Sequence, residues 1–132
     1  AASGGEISRI ALALKTCIAA VTASRRGVAR TLVFDEVDAG IGGRAAETVG
    51  RRLKQLAASD QVLCVTHLPQ IAGFADCHFR VEKTESAGRT VTSILELDAD
   101  GRKLEIGRML SGERITGEAL RQAEQLMKAA AE

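Results

Sequence analysis

The chain of 132 residues contains no tryptophan and no tyrosine, and its aromatic residues are Phe34, Phe74 and Phe79. That scarcity argues against a nucleic-acid platform built from stacked rings and leaves the core to Ala, Leu, Ile and Val. The three cysteines, Cys17, Cys64 and Cys77, are odd in number and widely spaced, so neither a disulfide scaffold nor a zinc ribbon follows. Cys17 and Cys64 sit inside apolar patterns and are expected to be reduced, buried and structural, which fits an intracellular setting. Neither sign of charge dominates, with 18 Lys and Arg against 17 Asp and Glu; a basic tail or an acidic disordered segment is therefore not the main feature. No stretch approaches the roughly 18 apolar residues of a membrane helix, and no basic-then-apolar secretory pattern is visible. A Gly-x-x-x-x-Gly-Lys-Ser/Thr segment is also missing. The chain thus lacks the loop that would cradle the α- and β-phosphates of a nucleotide.

What is there, 45% hydrophobic and 27% charged, suits one soluble domain or one lobe of a larger one. Ser3 followed by Glu6 forms a capping box, and Ile7, Ile10, Ala11, Leu14, Ile18 and Val21 share one face at helical spacing. This predicts a helix over 4–24, with Arg9, Lys15 and Thr16 on the opposite face. Residues 31–34 read as a strand covered on both faces, 44–58 as a helix with Ala46, Val49, Leu53, Leu56 and Ala57 inward, and 61–66 as a second buried strand. A connection of about 25 residues with a helix inside it is a βαβ crossover, so the strands should be parallel. Pro69 suits the first turn of a short helix to about Phe74. Residues 77–83 and 90–97 alternate like an antiparallel hairpin. After a polar turn at Asp98–Gly101 come a short helix over 103–110 and a last helix over 117–131 capped by Thr116, with Leu120, Ala123, Met127 and Ala130 as its stripe.

Three groups of residues carry chemistry. Asp35-Glu36 ends the first strand, and parallel strands project functional groups from their carboxyl ends. Asp35 suits magnesium and Glu36 suits a water-activating base; a solvated strand exit is the plainer alternative. His67 ends the second strand, at the same edge if the pairing is parallel, and can donate to a phosphate or a water; taken alone, a capping or packing histidine is the plainer alternative. Ser3-Gly4-Gly5-Glu6 opens a long helix whose unpaired N–H groups suit a phosphate, though taken alone the motif favours an ordinary capped helix. His78 lies inside the alternating hairpin and reads as structural. The spacing of Cys64, His67, Cys77 and His78 matches no strong zinc signature. The basic pairs Arg25-Arg26 and Arg51-Arg52, with Arg44 nearby, read as solvated helix surface.

These residues carry a resemblance. Ala2-Ser3-Gly4-Gly5-Glu6 resembles the signature motif of ATP-binding-cassette ATPases, Thr31–Glu36 resembles their Walker B strand with its catalytic glutamate, and His67 matches their switch histidine. More narrowly, Asp35–Gly43, Val65–Ala72 and Glu105–Leu110 are similar to the RecN family, DNA-repair relatives of the structural-maintenance-of-chromosomes (SMC) ATPases. The resemblance covers nearly the whole chain. It implies an α/β fold, the C-terminal lobe of an ABC/SMC-type P-loop NTPase head over residues 1–132, with parallel strands, crossover helices, a C-terminal hairpin and further helices. It implies that ATP is sandwiched between two heads, with Asp35 helping to hold Mg2+, Glu36 activating water and His67 contacting the γ-phosphate or the water. Ser3, Gly4, Gly5 and Glu6 would face nucleotide held by the opposing head, and Asp38, Gly40, Gly42 and Gly43 would belong to the loop crossing that interface. The implied partners are an N-terminal Walker A lobe, a second head in an ATP-dependent homodimer, and DNA through the full-length protein, in the cytoplasm at the nucleoid. Two positions depart from the wider pattern: Ala2 stands where the signature usually opens with Leu, and Gly42 stands where most crossing loops end in Asp. Val37 replaces the Pro that a transporter ATPase often has after its glutamate. A head used only as a scaffold would not need Glu36 and His67.

Overall fold

A computed structural model describes residues 4–7, 9–10, 12–13 and 30–132. From residue 31 the order is β1 (Thr31–Phe34), α1 (Gly43–Ala57), β2 (Gln61–Cys64), α2 (Pro69–Ala72), β3 (His78–Ser86), β4 (Arg89–Leu97), α3 (Ala99–Ser111) and α4 (Gly117–Ala131). β1 and β2 pair in parallel, from Thr31 opposite Gln61 to Phe34 opposite Cys64, with α1 in the crossover as predicted. Their register is strapped at the entry. Asp60 accepts from the Arg30 backbone N–H at 3.0 Å and from its guanidinium at 3.0 Å, while Gln61 N–H donates to the Arg30 carbonyl at 2.7 Å. Beyond β2, Val65 N–H still donates to Phe34 O at 3.0 Å; the predicted strand over 61–66 therefore stops early as a ladder but keeps its direction.

α1 buries Ala46, Val49, Leu53 and Leu56, the stripe expected from periodicity. These residues join Leu12, Leu32, Phe34, Val37 and Ile71 in one core. Fully burying a side chain such as Leu56 contributes about 1.5–3 kcal/mol. Gly50, on the same helix face, lets the Phe74 ring come close.

Two expectations about burial are corrected. Among the described residues β1 is covered on one face only: Leu32 and Phe34 are buried, whereas Val33 is 63% exposed, and Leu63 and Val65 are exposed too. Among the described residues, the two-stranded sheet is backed by α1 on one side, and Val33, Leu63 and Val65 lie exposed on the other. The opening helix is also turned differently. Its described residues are helical, but Ile7 and Ile10 are exposed while Gly5 and Leu12 are buried and Arg9 is half-buried. The reason is local: Gly5 has no side chain to hold it off Ala39, and Arg9 reaches backbone carbonyls near it. The rest of the predicted 4–24 helix, with Ser3 and Cys17, lies outside the described residues.

β3 and β4 pair antiparallel through Ser86 and Arg89, so the hairpin is longer than its alternation indicated. Ala87 and Gly88 form its two-residue turn with φ of 51° and 73°, the left-handed pair of a type I′ turn. The polar stretch Asp98–Gly101 is not a free turn. Asp98 is the N-cap of α3, accepting from Gly101 N–H at 2.7 Å, and the helix starts four residues earlier than predicted. Gly112, at φ 81°, stops it. Thr116 caps α4 as expected, accepting from Ala119 N–H at 3.1 Å. Ala72, Ile106 and Ala123 form a second core flanked by Met109, Leu110, Leu126 and Met127. Glu105 is buried and is gripped by the Arg108 guanidinium at 2.8 and 2.5 Å. A β-carbon on Gly107 would lie 3.2 Å from Leu120. The Glu105–Leu110 motif is thus packing between α3 and α4. His78 is half-buried, and burial, aided by Arg102, lowers its pKa, in keeping with a structural role.

Candidate functional site

Parallel strands end at the same rim. Asp35 and Glu36 leave β1 there, and Thr66 and His67 follow β2 there. Asp35 and Glu36 are both exposed. Glu36 takes a left-handed backbone, φ 60°, which costs a non-glycine residue about 1–2 kcal/mol and is the kind of strain found at working sites. The next residue repays it: Val37 is completely buried in the core. Ala39 N–H then donates to Glu36 O at 3.1 Å and Ile41 N–H to Asp38 O at 3.3 Å, so residues 36–41 fold back as successive turns. Gly40, φ 71°, sits where a side chain would be strained. Gly42 is the extended N-cap of α1, and Gly43 begins it at φ 55°.

Asp38 is the hub of this loop. Its carboxylate is almost fully buried, and one oxygen, Oδ2, receives Thr66 Oγ1–H at 2.5 Å and His67 N–H at 3.0 Å, with His67 Nδ1 at 3.1 Å. Burial pushes the Asp38 carboxyl up, but the Thr66 hydroxyl, the His67 N–H and the His67 ring together hold it below the usual carboxylate range. Thr66 itself accepts from Leu68 N–H at 3.0 Å, a short hydroxyl turn that leads into Pro69. The His67 side chain remains 77% exposed. The His67 backbone is therefore tied to Asp38, one edge of the ring lies beside the same oxygen, and the rest faces outward.

The opening helix docks on the same loop. A β-carbon on Gly4 would lie 3.0 Å from Glu36 Oε2, and one on Gly5 would lie 2.7 Å from Ala39 Cβ. Arg9 Nη1 donates to Ala39 O at 2.8 Å and to Val37 O at 3.4 Å. Gly4, Gly5, Glu36, Asp38 and His67 thus occupy one neighbourhood, with Glu6 exposed beside it; Ser3 is outside the described residues. Sequence reasoning missed Thr66, whose hydroxyl two residues before Leu68 was the available signal. It also placed Arg9 on the solvent face. No group of three or more His, Cys, Asp or Glu among the described residues could by itself hold a metal ion. Cys64, behind the rim, has its thiol pushed up to about 11 by burial and by Asp38 and Asp35.

No protein-family model matches the chain. Over 126 residues, 96% of its length, it is 44% identical to the DNA repair protein RecN of Rickettsia bellii. It is 45% identical over 129 residues to RecN of Vibrio cholerae. This chain is similar to RecN. It is 40% identical over 129 residues to the RecN of Bacillus subtilis. The RecN-like chain spans 22% of the length of each of these relatives. Its parallel strand pair, crossover helix, hairpin and helices are compatible with part of an ABC/SMC-type head, and the RecN likeness runs across all of them. No helix among the described residues of the RecN-like chain is long and apolar enough to cross a membrane.

Proposed function

We propose that this chain is the C-terminal lobe of the ATPase head of a RecN-like DNA-repair protein, and that its rim hydrolyses ATP once a Walker A lobe completes it. One observation carries the reading. The acidic pair after β1 and the histidine after β2 meet at one rim, joined through Asp38. The bare sheet face at Val33, Leu63 and Val65 supports a missing lobe.

Asp35 offers one exposed carboxylate, and magnesium takes one or two carboxylates together with nucleotide phosphates. That donor set fits a metal arriving with ATP rather than a resident one. Magnesium bound with the nucleotide would neutralise charge on the phosphates. Glu36 takes a proton from water, whose oxygen attacks the γ-phosphorus in line as ADP leaves. His67 presents its outer nitrogen to a γ-phosphate oxygen or to the water. Gly4 and Gly5 leave backbone bare enough for a phosphate of nucleotide held by a second head. Most of the rate gain comes from positioning and electrostatics. The head closes as an ATP-dependent homodimer, and DNA is engaged by the full-length protein in the cytoplasm at the nucleoid.

The test is Glu36→Gln in the full-length protein. Nucleotide binding is expected to remain while steady-state hydrolysis falls at least about 100-fold, the scale of a lost general base. Turnover equal to the unaltered protein would overturn the assignment.

A further inference from the structure

We infer that Arg9 is a positioning residue for Glu36: from the opening helix it clamps the Val37 and Ala39 carbonyls, and so holds the left-handed turn that aims the Glu36 carboxylate. The inference rests on the ATPase reading for what Glu36 does, whereas the clamp itself does not depend on it.

Glu36 holds φ 60°, a conformation that a non-glycine residue keeps only where its surroundings over-determine it. Three features hold this one. Val37, the next residue, is sunk completely in the core. Within the loop, Ala39 N–H donates back to Glu36 O at 3.1 Å. From the opening helix, Arg9 Nη1 donates to Ala39 O at 2.8 Å and to Val37 O at 3.4 Å. The hydrogens of a guanidinium nitrogen lie in a fixed plane, so one Arg9 nitrogen sets how far apart the two carbonyls stand and with it the curl of the turn. Glycines let the helix come in this close. A β-carbon on Gly5 would lie 2.7 Å from Ala39 Cβ and 3.1 Å from Arg9 Nη1 itself. One on Gly4 would lie 3.0 Å from Glu36 Oε2, so the carboxylate rests against the bare first turn of the helix that carries Arg9. Helix, loop and carboxylate thus meet at three points. The bonds from Arg9 go to backbone beyond Glu36 rather than to its carboxylate, so Arg9 acts through the loop. Methionine at position 9 would keep the aliphatic stem and lose both bonds; lysine, shorter and without the fork, would keep one.

The experiment uses full-length protein and magnesium-ATP. In Arg9→Met, amide hydrogen exchange at Ala39 and Ile41, whose N–H groups close the loop turns, is expected to rise about ten-fold or more, the scale of a lost charge-assisted hydrogen bond. Exchange across α1 should stay unchanged; a rise there as large as in the loop would mark Arg9 as a general prop and overturn the proposal. In the same variant kcat should fall about ten-fold or more with KM for ATP changed less than about two-fold, since misplacing a reacting group by about 1 Å costs up to about 100-fold. Arg9→Lys should recover part of both effects. Adding Arg9→Met to Glu36→Gln is expected to change the residual single-turnover rate less than about two-fold, because the carboxylate that the clamp aims is gone and the two changes no longer add. A further drop as large as in the unaltered background would show that Arg9 acts elsewhere and would overturn the positioning role. Unchanged loop exchange in Arg9→Met would overturn the clamp. If Glu36→Gln leaves hydrolysis intact while loop exchange responds to Arg9→Met, the ATPase reading fails and the clamp stands. If Glu36→Gln abolishes hydrolysis while loop exchange ignores Arg9→Met, the clamp fails and the ATPase reading stands.

Discussion

Gly50 of α1 faces the ring of Phe74, and a β-carbon there would collide with Phe74 Cδ2 and lie 2.8 Å from Cε2. The two residues hold α1 against the turn that follows α2. Gly50→Ala is therefore expected to destabilise the fold by about 1–3 kcal/mol, the usual cost of overpacking, although alanine favours a helix over glycine. Pairing it with Phe74→Leu should recover part of the loss. Urea unfolding of the single and double variants measures this; a stabilised Gly50→Ala would show that the ring yields freely.

Asp60 gives the parallel pair a pH dependence. The Arg30 guanidinium and backbone N–H hold its carboxyl below the usual range. A carboxyl depressed on folding contributes fully above its unfolded pKa of about 4 and loses that contribution as pH falls through the folded value. Asp38, also held low, acts in the same window. Stability is expected to be flat from pH 7 to 5 and to drop below about pH 4. Asp60→Asn should show a shallower acid limb than the unaltered protein. Parallel limbs in urea unfolding series from pH 7 to 2 would count against the Arg30–Asp60 strap.

The two described cysteines are expected to differ in reactivity. Cys64 is held protonated by burial and by Asp38 and Asp35, with a pKa of about 11, whereas Cys77 is exposed. The thiolate is the reactive form. Iodoacetamide at pH 8 should modify Cys77 well before Cys64, as read by peptide mass mapping at timed quenches. Equal rates would mean that the rim opens readily.

The hairpin tip leaves room for improvement. Ala87 holds φ 51°, a conformation that asparagine tolerates better than alanine. Ala87→Asn should raise stability by about 0.5–1 kcal/mol, measured as a higher urea midpoint. An unchanged or lower midpoint would indicate that the tip frays in solution.

Much of this was legible in the sequence because the signals were local. The α1 stripe, the Thr116 cap and the alternating hairpin each lie within one element, and periodicity reports one element at a time. The parallel pairing of β1 and β2 followed from the length and content of the crossover, and with it the shared rim of Asp35, Glu36 and His67. What stayed hidden was contact across the chain. Nothing near Asp38 in sequence points to His67, 29 residues away. Arg9 looked like a solvent-facing residue because its partners are backbone carbonyls, which no pattern of side chains reveals. Asp98 looked like part of a turn because an N-cap and a turn use the same residue types. Burial of β1 was overestimated since a run such as Thr-Leu-Val-Phe carries no record of whether its second covering layer belongs to the same polypeptide.

The uncovered side of the β1–β2 pair sets how this polypeptide must be handled. Val33, Leu63 and Val65 present a greasy patch beside an unsealed strand margin, a combination that invites self-association. This chain is expected to self-associate as its concentration rises, whereas a charged residue at Val33 or Val65 should keep it in solution without touching the packed interior.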